Sequence, residues 1–524
     1  MEFSKEQNDI FDYAEHGVLN LIVQAVAGAG KTTTLIECAN RLDKNKAILL
    51  LAHNKSTRDT LREKIGDKPN VKVYTLHGLA WRMFNEHFGF SPEIDEDKYR
   101  KYINANMDAI ASEEYNALSR PSKLAYKSNV MNLINKSRYN LKQSEKEIKK
   151  LATKKYGMTL IADECKMVSD ILKWGTTQDK VVDFQDLLWF PSEFGYFTKK
   201  YLADIIMLDE AQDASIAQQD IVSRCFKRNT RLFSFGDKEQ CINGWAGSDT
   251  SAFEHLKDSN MFRRDSMELP LTTNYRCGKR IIEYAKRFTN NNIHAMDGAV
   301  DGSVRENVLL SEVNEGDMVL CRNIAPLMEV YRRFVSLGKK VYFRGEELGR
   351  KLKESADCSD GETIDEMISS MKKRLIFTWD MLSSVEGADK MEAMTHPMVI
   401  SQLDTIKTME SLPRTVKTRL DLEMFVNDMF SDEGREGIQL STIHRAKGLE
   451  SNKVFVICPS LIPSHLATLD WEVEEERHLQ YVMCTRPKYE LNFVSESEIS
   501  PNMAFSEANL LYNELEKIRK EIDK

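Results

Sequence analysis

Short apolar runs alternate with helical periodicity through the N-terminal part of the chain. Leu19 to Gln24 reads as a strand, Lys31 to Leu42 as a helix, and Ala47 to Ala52 and Val71 to Thr75 as further strands. Strand–helix alternation of this kind predicts a parallel sheet. The alternation stops near Gly89, and from about Ser91 to Lys180 the pattern is helical with no clear strand. Sheet-like runs return at Ala203 to Asp209 and Arg231 to Phe235. A second alternating region starts near Leu269, with candidate strands at Met318 to Arg322 and Val341 to Phe343. A helical block from about Lys351 to Gly434 interrupts it, and strands resume at Ile438 to Thr442, Val454 to Cys458 and Leu491 to Val494. Ala504 to Lys524 reads as an amphipathic helix. There is no short-period repeat and no low-complexity linker. The expected class is α/β, with two parallel-sheet domains that each carry a mainly helical insertion. The first domain takes 1–89 and 181–266, with its insertion at 90–180. The second takes 267–350 and 435–503, with its insertion at 351–434, and 504–524 forms the terminal helix.

Composition changes this picture in a few places. A chain of 524 residues exceeds one core and suggests about three or four domains. The net charge of -8 excludes a uniformly basic nucleic-acid coat, so any such contact must come from local basic surface. One candidate is Arg120 to Lys155, with eleven Lys or Arg against two Glu. By contrast, Lys351 to Arg435 holds eleven basic and seventeen acidic residues. That acidic block is a candidate surface for a protein partner. The nine cysteines are scattered and form no C-x-x-C pair. This argues against a zinc ribbon or an iron–sulfur cluster and fits free thiols in a reducing compartment. The polar N-terminus lacks an apolar signal core, and no apolar run could span a bilayer. The expected setting is cytoplasmic, bacterial or in a host cell if the gene is viral, with no membrane contact.

Two segments carry the candidate chemistry. Asp209-Glu210-Ala211-Gln212-Asp213 ends the apolar run Ile205 to Leu208. Adjacent carboxylates at the end of a strand can hold Mg2+ and polarise a water, and ligands of open α/β sheets gather there. Asp209 suits the metal, directly or through water, and Glu210 suits orientation of the attacking water. Upstream, Ala25-Val26-Ala27-Gly28-Ala29-Gly30-Lys31-Thr32 follows a strand and opens a helix, with Thr33 next. Small residues let backbone N–H groups curl around phosphates, and the helix N-terminus adds partial positive charge. Lys31 can reach the terminal phosphates and the Thr32 hydroxyl can ligate Mg2+. Ala25 stands where the strict phosphate-loop pattern has Gly.

With these segments and the motifs that follow, the chain resembles the UvrD/Rep/PcrA branch of superfamily-1 helicases. The resemblance runs from Gln7 to Arg486 and implies two RecA-like domains with ATP and Mg2+ in the cleft between them. It implies that Gln7 reads adenine, that Gln240 senses the γ-phosphate and DNA, and that Tyr275 stacks on adenine. Arg276 is implied to reach the γ-phosphate, Glu450 to approach the ribose, and Arg486 to serve as arginine finger. Thr442, Ile443, His444, Arg445, Ala446, Lys447, Gly448, Leu449 and Glu450 match the family's T-x-H-x-x-K-G-L-E motif. The implied DNA track comprises Asn54, Lys55, Thr75, His77, Trp245, Arg322, Thr442 and His444. Phe184 to Leu188 resembles an element that precedes the acidic strand in the family.

Three positions depart from the pattern. Ala52 stands in place of a Phe that lines a base pocket, Asn243 in place of a Tyr, and Ala246 in place of an Arg. The aromatic track is thinner, and the expected grip per base is lower. The expected function is an ATP-dependent helicase moving 3′-to-5′ on single-stranded DNA and at single/double-strand junctions, in repair, replication or recombination. The alternatives are a translocase that strips proteins with little unwinding and an ATP-gated DNA-binding scaffold.

Overall fold

The computed structural model describes residues 2–118, 120–158, 160–196, 198–244, 251–344, 347–357, 359–384, 393–394, 396–429, 436–465, 467–499 and 508–523. The chain forms two compact units. The first is Met1–Tyr275 with Asn291–Ile293 and Leu469–Glu475; the second is Arg276–Asn290, His294–Thr468 and Glu476–Lys524.

Six strands build the sheet of the first unit: β1 (Asn20–Ala25), β2 (Ile48–Ala52), β3 (Val71–Thr75), β4 (Ala203–Leu208), β5 (Phe226–Gly236) and β6 (Ser266–Leu271). They lie in the order β3-β2-β4-β5-β1-β6, and every pairing is parallel. All five residues of β2 are buried, as a strand covered on both faces requires. The topology sets the carboxyl end of β5 between those of β1 and β4, the strands that lead into the phosphate-loop segment and the acidic run.

The first domain does not close at residue 266. Ser266–Leu271 pairs with β1 from Asn20↔Ser266 to Ala25↔Leu271, and the first unit runs through Tyr275. β5 also begins before the apolar run does. Its polar start is held by Lys227 Nζ, which donates to Asp204 Oδ1 at 2.9 Å, and by the Arg231 guanidinium, which donates to the carbonyls of Ala14 and Leu19.

The helical insertion is not a separate body. Tyr99, Ile103, Tyr115, Tyr126, Val130 and Leu133 share one apolar core with Leu49, Leu51 and Ile206 of the sheet. A strand-like piece, Glu93–Ile94, pairs with Val181–Val182. A buried ionic network fastens the insertion. Arg138 Nη1 donates to Asp183 Oδ1 at 2.7 Å and to Asp186 Oδ1 at 2.8 Å. Lys98 Nζ reaches Asp186 Oδ2 at 2.6 Å, and the Tyr99 hydroxyl donates to Asp186 Oδ1 at 2.7 Å. Asp183 also caps the helix Phe184–Glu193. The basic stretch 120–155 is therefore not all surface. Arg138 points into this network, and Lys136 is buried with its ammonium 3.6 Å from the centre of the Tyr156 ring.

The second unit repeats the plan with β7 (Ser303–Val308), β8 (Met318–Cys321), β9 (Val341–Phe343), β10 (Ile438–Thr442), β11 (Ser451–Val456) and β12 (Pro487–Val494). Their order is β7-β12-β11-β8-β10-β9, again wholly parallel. Met367, Trp379 and Leu403 of the acidic insertion and Leu511, Leu515 and Ile518 of the terminal helix join Val319, Leu440 and Phe455 of the sheet in a single core. The terminal helix is Ala508–Ile522, tied in by the buried ion pair of Glu514 with Lys407. The two domains are RecA-like in layout, with an α/β parallel sheet in each.

Among the described residues, eight cysteines are free thiols and no helix is long and apolar enough to cross a membrane.

Asp186 accepts from three buried side chains, so removing its charge leaves Lys98 without its carboxylate and Arg138 with Asp183 alone. Asp186→Asn is expected to cost about 3 kcal/mol in urea unfolding. A loss below about 0.5 kcal/mol would show that the network carries little of the stability.

Candidate functional site

The first helix after β1, Lys31–Arg41, starts without a side-chain cap. Gly30 holds the cap position at φ 76°, and no side chain accepts from the helix's first amides. A residue with a Cβ would be strained at that φ, although the space beside it is open enough. The uncapped N-terminus presents amides and partial positive charge to whatever lies over the loop. The loop is braced from β6 and its exit. Val26 N donates to the Leu271 carbonyl at 2.9 Å, Asn274 Nδ2 to the Ala27 carbonyl at 2.6 Å, and Tyr275 N to the Gly28 carbonyl at 2.9 Å. Ala25 is fully buried at the end of β1, and Ala29 is buried within the loop. Gln7 lies against the same helix and donates from Nε2 to Thr34 Oγ1 at 3.0 Å, while its Oε1 accepts from Ser4 N. Tyr275 leaves its ring 44% exposed.

Three carboxylates surround one lysine. Lys31 Nζ donates to Glu210 Oε2 at 2.9 Å. Burial lowers the Lys31 pKa, but the charges of Glu210, Asp237 and Asp209 outweigh it, and the net shift is upward. Burial, then the charge of Glu210, pushes Asp209 up to about 7. Burial pushes Asp237 up to about 6. Glu210 sits at φ 48°, a left-handed backbone that costs a non-glycine residue on the order of 1 kcal/mol. Gln212 fixes this kink. Its Nε2 donates to Glu210 Oε2 at 2.6 Å, and its Oε1 accepts from Asp237 N at 3.0 Å. Gln240 Nε2 donates to Asp237 Oδ2 at 2.7 Å, and Asn291 Nδ2 to Asp237 Oδ1 at 3.1 Å. Sequence reasoning gave no role to Asp237, Asn291 or Asn274. For Asp237 the signal was available, since it follows a strand that lies between β1 and β4.

The nucleic-acid candidates of this unit gather at the carboxyl ends of two neighbouring strands. Asn54 follows β2 and caps Lys55–Ile65, while Thr75 ends β3 and caps Leu76–Phe88. Asn54 and Lys55 are exposed. Burial, with His53 beside it, lowers His77 to about 4, so its imidazole is neutral near pH 7. Phe184, 47% exposed, lies edge-on to His77 with ring centres 6.1 Å apart. Trp245 and Ala246 lie outside the described residues.

In the second unit Arg276 donates from Nε to Glu450 Oε2 at 2.9 Å and from Nη1 to the Thr485 carbonyl at 3.1 Å. Burial works against the ionised form of Glu450, but Lys488 and Arg276 prevail and hold its pKa below the usual range. Arg486 is buried and donates to the carbonyls of Val482 and Leu449 and to Thr485 Oγ1. Arg276, Glu450 and Arg486 thus form one neighbourhood around Thr485. Arg322 follows β8 and donates from Nε and Nη2 to Glu476 Oε1 at 3.0 and 2.7 Å. Thr442 ends β10, pairs with Cys321, and leads into His444.

A strand, a glycine-bent loop, an uncapped helix with its lysine on a neighbouring strand-end glutamate, and a buried aspartate beside them define a phosphate-loop nucleotide-binding class of protein. The family models agree and narrow it. The UvrD/REP helicase N-terminal domain matches residues 4–260, and the UvrD-like helicase C-terminal domain matches 386–498. The chain belongs to the UvrD/Rep-like superfamily-1 helicase family. It is 28% identical over 285 residues to F-box DNA helicase protein 1 of Schizosaccharomyces pombe, covering 51% of this chain and 30% of that protein. It is 36% identical over 80 residues to the ATP-dependent DNA helicase Rep of Buchnera aphidicola, covering 15% and 12%. A probable DNA helicase of Mycoplasma pneumoniae is 23% identical over 528 residues, covering 94% of this chain and 83% of that one. The chain thus spans less than a third of the length of the first two relatives.

The raised Asp209 pKa has a signed consequence. Between its ordinary 3.8 and about 7 the folded state holds this proton more tightly than the unfolded state. Stability contributed here therefore falls as pH rises through that window. Asp209→Asn is expected to raise the melting temperature of the nucleotide-free protein, by a few degrees at pH 8 and by less at pH 5. An equal gain at both pH values in scanning calorimetry would refute the assignment.

Proposed function

We propose that the chain is a Mg2+- and ATP-dependent DNA helicase that moves along single-stranded DNA, 3′-to-5′, and separates strands at single/double-strand junctions. The observation that carries the reading is the Lys31–Glu210 pair at 2.9 Å, with Asp209 and Asp237 buried around it. In this reading the loop from Ala25 to Thr33 cradles the phosphates and Lys31 neutralises the terminal ones. Gln7 and Tyr275 receive adenine, and Glu450 the ribose. Thr32 and Asp209 hold Mg2+, an ion usually bound by one or two protein oxygens together with phosphate oxygens. When bound, the ion neutralises charge on the transferred phosphoryl group. Glu210, held in its kink by Gln212, orients the attacking water. Arg276 and Arg486 supply the remaining positive charge.

Gln240 shares Asp237 with the loop's surroundings and follows it by three residues, which supports its role as the γ-phosphate sensor. Asn54, Lys55, Thr75, His77, Trp245, Arg322, Thr442 and His444 form the DNA track. The cytoplasm is the proposed setting, with repair, replication or recombination as the process. The acidic 351–434 block is the proposed surface for a protein partner.

A second reading, a translocase that strips proteins and unwinds poorly, has one observation in its favour. Asn243, in place of the family's Tyr, donates to Asp213 Oδ1 at 3.3 Å and so faces the acidic run. Matched 3′-tailed and 5′-tailed duplexes separate the two. Unwinding of the 3′-tailed duplex alone supports the first reading, and DNA-stimulated ATP turnover without unwinding of either supports the second. Lys31→Ala is expected to lower DNA-stimulated ATPase at least ~100-fold while leaving the fold intact by circular dichroism. Turnover within about twofold of wild type would place the phosphate site elsewhere.

A further inference from the structure

The helix Asp470–Cys484 runs directly into Thr485 and Arg486, yet its first residues belong to the first unit. Leu469–Glu475 pack against two parts of that unit. One is the loop that follows Gln240. A Cβ on Gly244 would come within 2.8 Å of Cζ3 and 2.9 Å of Cε3 of Trp471, and within 2.9 Å of Glu475 Oε2. Only glycine lets the loop backbone lie this close to the indole. The other is the basic insertion. The Tyr156 ring meets Trp471 edge-on, with centres 6.1 Å apart and planes at 86°. Leu469 lies over Gly157, where a Cβ would come within 2.9 Å of its Cδ2. The Lys136 ammonium also lies against Tyr156, 3.6 Å from its ring centre. Glu472 and Glu475 are near enough to Lys136 to act against the fall that burial causes in its pKa. The Trp471 indole N–H finds no acceptor among the described residues, so contact rather than hydrogen bonding holds the ring.

We infer that Trp471 is a positioning residue, wedged between Gly244 and Tyr156, that couples the sensor loop and the basic insertion to the helix that leads to Arg486. This rests on the function proposed above. The loop that Trp471 touches begins just past Gln240, and the helix it starts ends at Cys484, two residues before the proposed arginine finger. A displacement of the loop presses on a rigid aromatic ring at the first turn of that helix. DNA occupancy near the sensor thereby biases the placement of Arg486. A helix transmits such a displacement along its axis, because its backbone hydrogen bonds resist shortening.

The test compares wild type with Trp471→Ala, Trp471→Phe, Gly244→Ala and the Gly244→Ala/Trp471→Ala double variant. Three quantities are measured: ATPase without DNA, ATPase with saturating oligo-dT, and oligo-dT affinity by fluorescence anisotropy. In Trp471→Ala, the DNA-stimulated rate is expected to fall about tenfold, with basal turnover and oligo-dT affinity within about twofold of wild type. Trp471→Phe keeps a ring against Gly244 and should retain most of the stimulation. Gly244→Ala should lose stimulation because its Cβ displaces the indole. The double variant should be no worse than Trp471→Ala, because the clash needs the ring. Stimulation in Trp471→Ala equal to wild type overturns this inference alone. So does a parallel loss of basal turnover and DNA affinity, which marks a structural residue. Wild-type protein whose ATPase ignores oligo-dT overturns the functional reading and this inference with it.

Discussion

The first unit is organised around a charge imbalance. Lys31 stands among Asp209, Glu210 and Asp237, and two of these buried carboxyls are pushed toward neutrality by their own surroundings. Such a cluster is unfavourable by itself, since like charges in a poorly solvated place raise one another's energy. The fold tolerates it because every member is held by specific donors: Asp209 by the Glu210 amide, Glu210 by Lys31 and Gln212, Asp237 by Gln240, Asn291 and the Glu239 amide. Under the proposed function the imbalance has a use. A triphosphate adds more negative charge to a place where acids already outnumber the lysine. It can settle only together with cations, so Mg2+ and the arginines become conditions of binding rather than accessories to it. Emptying the site restores the repulsion.

The same economy appears in how the insertions are attached. Among the described residues, each extends the apolar interior of the sheet beneath it. In the first unit the attachment also runs through charge, where Arg138 and Lys98 meet Asp183 and Asp186. Asp183 caps the helix that displays Phe184, so the network that anchors the insertion also fixes the start of that helix. Phe184 in turn lies edge-on to His77, in the first turn of the helix that Thr75 caps.

Most of the fold was legible because the strands that position the site are central ones. Ile48–Ala52 is a continuous apolar run, Ala203–Leu208 is apolar but for Asp204, and the periodicity finds both almost to the residue. Two strands of the six-stranded sheets that went unread, Ser266–Leu271 and Ser303–Val308, are both edge strands with exposed polar positions. The first carries Pro270, which an edge tolerates and a central strand does not. Among the candidate-site residues, Lys31, Asp209, Glu210, Gln240, Arg276 and Arg486 stand in motifs that a sequence displays. Asn291 does not; it approaches Asp237 from a stretch of chain with no pattern of its own. Composition also misled at Lys136 and Arg138. A count of basic residues cannot tell a solvated lysine from one laid on a buried tyrosine.

The departures from the family pattern become a physical statement once the fold is known. Ala52 is fully buried at the end of β2, so the family's aromatic pocket wall is absent there. Asn243 donates to Asp213, so that position ties the segment after Gln240 to the acidic run instead of presenting a ring. Both changes remove stacking surface, and stacking on an aromatic ring is worth roughly 1–3 kcal/mol per base. Among the described residues, this end of the sheet carries an exposed phenylalanine and two helix N-termini, one led by Asn54 and one by Thr75. Helix N-termini hold phosphates and ignore bases. Under the proposed function, the grip on a strand therefore shifts from bases toward backbone. A grip of that kind depends more steeply on salt and less on sequence, and it slides more readily than it wedges.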